Sequence, residues 1–230
     1  VATQAQASGR VAWEVNPERQ EGTVSAAQAR SILDASPADP YELFDVWYAE
    51  AAGHEQIKYA AAVCLSTADL DGFPDGRMVL LKLYDATGFV FFTDSKSVKG
   101  RSLVRFPHAA LTFYWGPLDR QIRVRGRVEQ ASDDVADECF MRRPRGSQIT
   151  AWASLQSRVL RSPAELEQRV ANYEEKLASE DPVPRPPDWR AYRLLPRDIE
   201  FWAAKASRLH DRLLYTRGKD GAWSTRRLYP

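Results

Sequence analysis

Four short runs of the sequence gather cationic and hydroxyl side chains where a strand or helix should begin or end. In RMVLLK, Arg77 and Lys82 bracket an apolar stretch. Their separation is odd, so on one uninterrupted strand they point to opposite faces. Thr93, Ser97 and Lys99 fall where an apolar run hands over to a helical one. There, the free N–H groups of a helix start and a lysine suit a phosphate. RPRGSQ supplies Arg143, Arg145 and Ser147 near another helix start, again suited to a phosphate through charge-assisted hydrogen bonds. SRLHDR puts Arg208, His210 and Arg212 on one face if the segment is a strand. Such a set would serve two phosphate-bearing molecules. Taken singly, each arginine or lysine is more often a solvated strand end, His210 is as readily structural as functional, and Trp115 and Trp202 read as core.

Other chemistries find less support. His54, His108 and His210 are scattered and Cys64 and Cys139 lack paired spacing, which disfavours a metal centre. Neither a Walker-type phosphate loop nor a Rossmann glycine fingerprint occurs. Composition leaves a Ser-His-Asp hydrolase open, but there is no Gly-x-Ser-x-Gly elbow.

The elements that must position these residues follow from periodicity. Residues 1–37 are rich in Ala, Gln, Ser and Glu and read as a mobile arm with one short helix around Ala26–Leu33. Asp39-Pro40 supplies an N-cap and first helical residue, followed by Leu43, Phe44, Trp47 and Tyr48 at helical spacing. AAAVCLST, RMVLLKLY and GFVFFT read as three strands separated by Asp71-Gly72 and Thr87-Gly88 turns. A short helix over Lys96–Phe106 precedes the strand AALTFYW and then RQIRVRGRVEQ, whose strict alternation places Gln121, Arg123, Arg125, Arg127 and Glu129 on one face. Those arginines read as a wet face or an interface. Helices return after Ser132 and Ser162, a stiff proline-rich link spans 181–189, and AYRLLP, DIEFWA and RLLYTR read as three closing strands ahead of a Gly218–Gly221 turn. The fold class is α+β, with residues 38–230 forming one domain around an antiparallel barrel.

The chain has 230 residues, enough to bury a sizeable core. Its 32 Lys+Arg balance 31 Asp+Glu, so bulk charge gives no reason to bind nucleic acid or membrane, and any anion site must be local. No run approaches the roughly 18 apolar residues of a membrane span, and VATQAQASGR lacks the apolar core of a signal peptide. The expectation is a cytoplasmic protein with two free thiols.

Together these runs resemble the pyridoxamine/pyridoxine 5′-phosphate oxidase family, flavoproteins with an FMN-binding split barrel. The likeness extends from about Asp39 to Pro230 and rests on DPYELFDVWYAEA, RMVLLK, GFVFFT, FYWGPLDRQIRVRGRVE, RPRGSQI, AWASLQS, VPRPPDW, IEFW, SRLHDR and the terminal RLYP. It implies an antiparallel, Greek-key-like split β-barrel with surrounding helices. It also implies a homodimer with FMN at the subunit interface, and oxidation of pyridoxamine or pyridoxine 5′-phosphate to pyridoxal 5′-phosphate with O2 reduced to H2O2. Carried over residue by residue, the FMN contacts are Arg77, Met78, Val79, Leu80, Phe92, Thr93, Lys99, Gln121, Gln156, Ser157, Trp202 and Arg212. The substrate contacts are Lys82, Arg143, Ser147, Arg208 and His210, with Arg208 and His210 as the catalytic pair that orients and polarises the substrate, and His210 also a candidate proton acceptor.

The chain departs from the family pattern near these positions. Val98-Lys99 stands for Arg-Lys, Cys139 for a substrate-binding Tyr, Trp202-Ala203-Ala204 for Trp-Gln-Gly, Trp189-Arg190-Ala191 for Trp-Gly-Gly, and Gln148-Ile149-Thr150-Ala151 for Gln-Ile-Gly-Ala. The family's N-terminal Arg and Tyr lid residues have no match in 1–37. One lost charge-assisted hydrogen bond costs about 1.5–3 kcal/mol, which weakens binding without abolishing it. Two further readings stay open: an FMN oxidase of the same scaffold acting on another ring compound in secondary metabolism, and a non-catalytic flavin-binding protein. A nucleic-acid module using Arg123–Arg127 is the most distant reading, since no aromatics interleave there.

Overall fold

The computed structural model describes residues 10–11 and 36–230. The expected helix around Ala26–Leu33 and most of the expected arm lie outside the described residues. Helix α1, Pro40–Gly53, starts as its sequence dictates. The Asp39 carboxylate accepts from the Tyr41 N–H at 2.9 Å, proline occupies the first turn, and Leu43, Phe44, Trp47 and Ala51 are buried.

Strands β1 (Arg10–Val11), β2 (Ala62–Ala68), β3 (Pro74–Leu80), β4 (Leu83–Asp85), β5 (Gly88–Asp94), β6 (His108–Trp115), β7 (Arg120–Gln130), β8 (Trp189–Ala203), β9 (Asp211–Arg217) and β10 (Trp223–Arg227) form one sheet. Its order is β1-β4-β5-β8-β7-β6-β2-β3, with β9 paired to β8 and β10 to β9. Every pairing is antiparallel. Helices α2 (Val98–Arg105), α3 (Asp133–Met141), α4 (Arg145–Ala153) and α5 (Pro163–Lys176) complete the fold. The sheet curls into a half-barrel around α1. Val63, Leu65, Phe89, Phe113, Val124, Phe201 and Tyr215 of its inner face share one core with Phe44 and Trp47. Among the described residues no helix is long and apolar enough to cross a membrane.

Three segments differ from the sequence reading. RMVLLKLY is two strands, because the chain changes partners at its middle: the Leu81 N–H donates to Ala61 O and the Lys82 N–H to Val90 O. AYRLLP and DIEFWA are one strand, β8, which absorbs Pro196 at a bulge facing Arg125/Gly126, where a missing N–H is tolerated. SRLHDR is not a strand throughout. Residues 206–208 form a 3-10 turn with Ser207 and Arg208 at φ 57° and 60°, and β9 begins only at Asp211.

An ion pair fastens α1 to the barrel. The Arg120 guanidinium donates to Glu50 at 2.7 Å, with the side chains 6% and 13% exposed, and lies 4.7 Å above the Trp47 ring. Glu50→Ala leaves that guanidinium buried without its counter-charge and is expected to cost about 3–5 kcal/mol in chemical denaturation. Adding Arg120→Met should recover much of the loss.

Candidate active site

A cavity of about 630 Å³ opens where β3, β5, α2 and the α3–α4 connection meet. Arg77, Met78, Val79 and Leu80 come from β3, Phe92 and Thr93 from β5, and Lys99 from α2. Lys82 comes from the β3–β4 corner, and Arg143 and Ser147 from the α3–α4 region, with Gln156 beyond α4. The partner exchange at Leu81–Lys82 corrects the expectation that Arg77 and Lys82 face apart. Both line this cavity, because the strand ends between them.

The walls are held by local chemistry. Ser97 caps α2 by accepting from the Gly100 N–H at 3.2 Å, and a Cβ at Gly100 would meet Ser95 O at 2.4 Å. The helix start therefore seats tightly on the strand end only with glycine there. Gln156 Oε1 accepts from Thr93 Oγ1 at 2.8 Å and from Lys99 Nζ at 2.7 Å, tying the loop after α4 to β5 and α2. Arg77 donates to Thr67 Oγ1 at 2.8 Å and pairs with Asp75. Arg143 donates to Ser147 O at 3.0 Å and lies 5.2 Å over the Trp189 ring, which stacks on Phe92 at 4.7 Å.

Electrostatics divides the cations into two clusters. Burial, and then the neighbouring Arg77 charge, lower the Lys99 pKa below the ordinary lysine range. Burial raises the Cys139 thiol against the opposing fields of Lys82, Arg143 and Arg142, and burial likewise lowers the pKa of Arg143. Arg77 with Lys99 forms one cluster. Lys82, Arg142 and Arg143 around Cys139 form the other. No Asp or Glu is among the described lining residues, but Arg77 is paired with Asp75 and Arg142 with Glu138 from outside the lining. The charges that the fold holds at a cost, and that an anion would offset, are therefore those of Lys99 in one cluster and Arg143 in the other.

The remaining expected residues lie elsewhere on the chain. Gln121, Trp202 and Arg212 are directly paired across β7, β8 and β9 and so share one face of the sheet. His210 packs on Trp202 with ring centroids 4.7 Å apart, and Arg212 donates to Glu200 at 2.8 Å. Arg208 is exposed on the 206–208 turn, where its left-handed backbone overturns the expectation of a common strand face with His210 and Arg212. Ser157 is exposed, with φ 68°, beside but outside the cavity lining. Arg145 turns away, donating to Leu177 O and Glu180 O. The sequence reading missed Arg142, Pro144 and Trp189 as lining residues. A helical offset of three from Cys139 was the available signal for Arg142.

Family models match most of the chain: "Pyridoxamine 5'-phosphate oxidase" over residues 49–177 and "Pyridoxine 5'-phosphate oxidase C-terminal dimerisation region" over residues 189–230. A pyridoxine/pyridoxamine 5′-phosphate oxidase of Myxococcus xanthus is 50% identical over 194 residues, covering 84% of this chain and 93% of the relative. One from Brucella canis is also 50% identical, with 84% and 95% covered. Among solved structures, PhzG from Burkholderia lata 383 in complex with tetrahydrophenazine-1-carboxylic acid superposes with a TM-score of 0.80 at 33% identity, over 86% of this chain and 96% of that one. A pyridoxamine 5′-phosphate oxidase-related, FMN-binding protein from Nostoc punctiforme shares the fold, with a TM-score of 0.67 at 17% identity over 83% and 98% of the two chains. The chain belongs to the pyridoxamine 5′-phosphate oxidase family, which comprises FMN-dependent oxidases.

The residues present fit that cofactor. The cavity lies within the size range of small-molecule sites, its walls include Met78, Val79, Leu80 and Phe92 for a flat ring system, and Arg77 and Lys99 stand where a phosphate can neutralise both. The absent arginine at Val98 leaves Lys99 as the cation on the first turn of α2.

Proposed function

We propose that this protein, as a homodimer, oxidises the C4′ alcohol of pyridoxine 5′-phosphate to the aldehyde, and the C4′ amine of pyridoxamine 5′-phosphate to the same aldehyde with water consumed and ammonia released. The observation that carries this reading is the pair of separate cationic clusters in one aromatic-walled cavity, one for each of two phosphates. Arg77 and Lys99 hold the FMN phosphate, with Gln156 and Thr93 beside it. Lys82, Arg143 and Ser147 hold the substrate phosphate, and the Trp189–Phe92 stack keeps the Arg143 guanidinium in place. Bound FMN supplies a two-electron acceptor that O2 regenerates, giving H2O2.

Gln121, Trp202, Arg208, His210 and Arg212 complete the site from the partner subunit. A two-fold axis brings such a patch from each chain to the other chain's cavity, and so makes two equivalent sites. The matched dimerisation region, which contains four of these five residues, supports that arrangement. Arg208 then covers and orients the substrate. His210 Nδ1 accepts from the Lys205 N–H at 3.2 Å, so the neutral imidazole carries its proton on Nε2 and presents a donor to the substrate.

The likeness to PhzG and the thiol of Cys139 at the substrate cluster favour a second reading, an oxidase of another ring compound. The test is to reconstitute the protein with FMN and add pyridoxamine or pyridoxine 5′-phosphate without oxygen. Bleaching of the flavin band, with colour and peroxide returning on aeration, is the expected result. A flavin-loaded protein that neither compound bleaches overturns the reading, and bleaching by a non-phosphorylated ring compound would establish the second.

A further inference from the structure

A second cavity, sharing no lining residue with the first, lies between β2, β6, β7, β8 and β9 and measures about 770 Å³. We propose that it is a separate anion site for a small molecule carrying a phosphate-like dianion on an apolar body.

The β7–β8 register places Arg125 opposite Asp198 and Gly126 opposite Pro196, so Arg197 is the extra residue of a bulge. Bulges re-aim side chains, and this one depends on Gly126, where a Cβ would stand 1.9 Å from Leu195 O. Arg197 and Arg125 then converge on one buried carboxylate. Asp198 Oδ2 accepts from Arg125 Nη2 at 2.7 Å and from Arg197 Nε and Nη2 at 2.9 and 2.7 Å, while Thr216 Oγ1 donates to Oδ1 at 3.3 Å. The two guanidiniums stay 47% and 67% exposed over a carboxylate that is 8% exposed. Asp198 therefore orients both arginines yet neutralises only one charge.

Arg127, Arg217 and His108 line the same groove, and no Asp or Glu is among its described lining residues. Neither Arg127 nor Arg217 forms an ion pair with a carboxylate among the described residues. Leu195, Pro196 and Ala109 supply an apolar floor. Guanidiniums pre-oriented around a concavity suit a phosphate through paired N–H donors, whereas scattered solvated arginines would share no anchoring carboxylate.

The test titrates the FMN-loaded protein with inorganic pyrophosphate by calorimetry at low salt. Wild type should bind at two sites per chain. Arg143→Ala should remove the active-site event alone. The double variant Arg127→Gln/Arg197→Gln, which leaves Arg125 and Thr216 on Asp198, should weaken the other about tenfold or more and leave oxidation of the vitamin B6 phosphate unchanged. A single site per chain that Arg143→Ala abolishes, or a double variant with unaltered binding, overturns the proposal. A double variant that dissociates into monomers with unaltered binding also overturns it and assigns the arginines to the subunit contact. Failure of the active-site reading would appear separately, as an Arg143→Ala protein that keeps both events.

Discussion

Arg208→Ala is expected to lower kcat/KM for pyridoxamine 5′-phosphate on the order of a hundredfold or more while the protein stays yellow. Arg208 sits on an exposed turn with φ 60° and is absent from the cavity that would hold the flavin phosphate. Its loss therefore removes substrate orientation and leaves the cofactor's anchors intact, and misplacement of a substrate by about 1 Å costs about a hundredfold. The left-handed pair Ser207–Arg208 is strained backbone for residues with side chains, and such strain persists where surrounding structure enforces it. Arg208→Lys keeps the charge but loses the planar fork, so an intermediate rate is expected. Steady-state kinetics beside flavin content measures both quantities, and an unchanged kcat/KM removes Arg208 from the site.

Mixing two inactive proteins should restore activity. Arg143→Ala disables the cavity group and Arg208→Ala the β8–β9 group. In a mixed dimer one site carries both lesions and the other carries neither. If subunits re-associate at random, half of the dimers are mixed, and about a quarter of wild-type activity returns. A site built within one chain restores none. Tagging the two chains differently and assaying the purified mixed dimer sharpens the readout to about half of wild type.

Where local chemistry decides, the fold was legible in the sequence. Asp39-Pro40 started α1, and the alternation of RQIRVRGRVEQ fixed which face of β7 is buried. Legibility failed where a distant strand decides. Nothing within RMVLLKLY shows that Leu81 bonds to Ala61 and Lys82 to Val90, yet that exchange puts Arg77 and Lys82 in one cavity. The joining of AYRLLP to DIEFWA depends on Gly126, on another strand. In SRLHDR no residue type announces a left-handed backbone. The candidate site was readable as residue types, because cations beside hydroxyls imply phosphates. Its division into two groups follows from sheet order, which periodicity does not encode.

Strand β8 gives the chain a particular order of assembly. It holds β5, β7 and β9 together, yet the β5 and β7 residues it pairs with are made long before it. Contacts of such high sequence separation close late and slow the folding of sheet proteins. Until Trp189–Ala203 leaves the ribosome, the facing edges of β5 and β7 stay open, and open strand edges invite association with other chains. Nascent chains interrupted in the proline-rich link ahead of Trp189 would thus be the ones most in need of a chaperone.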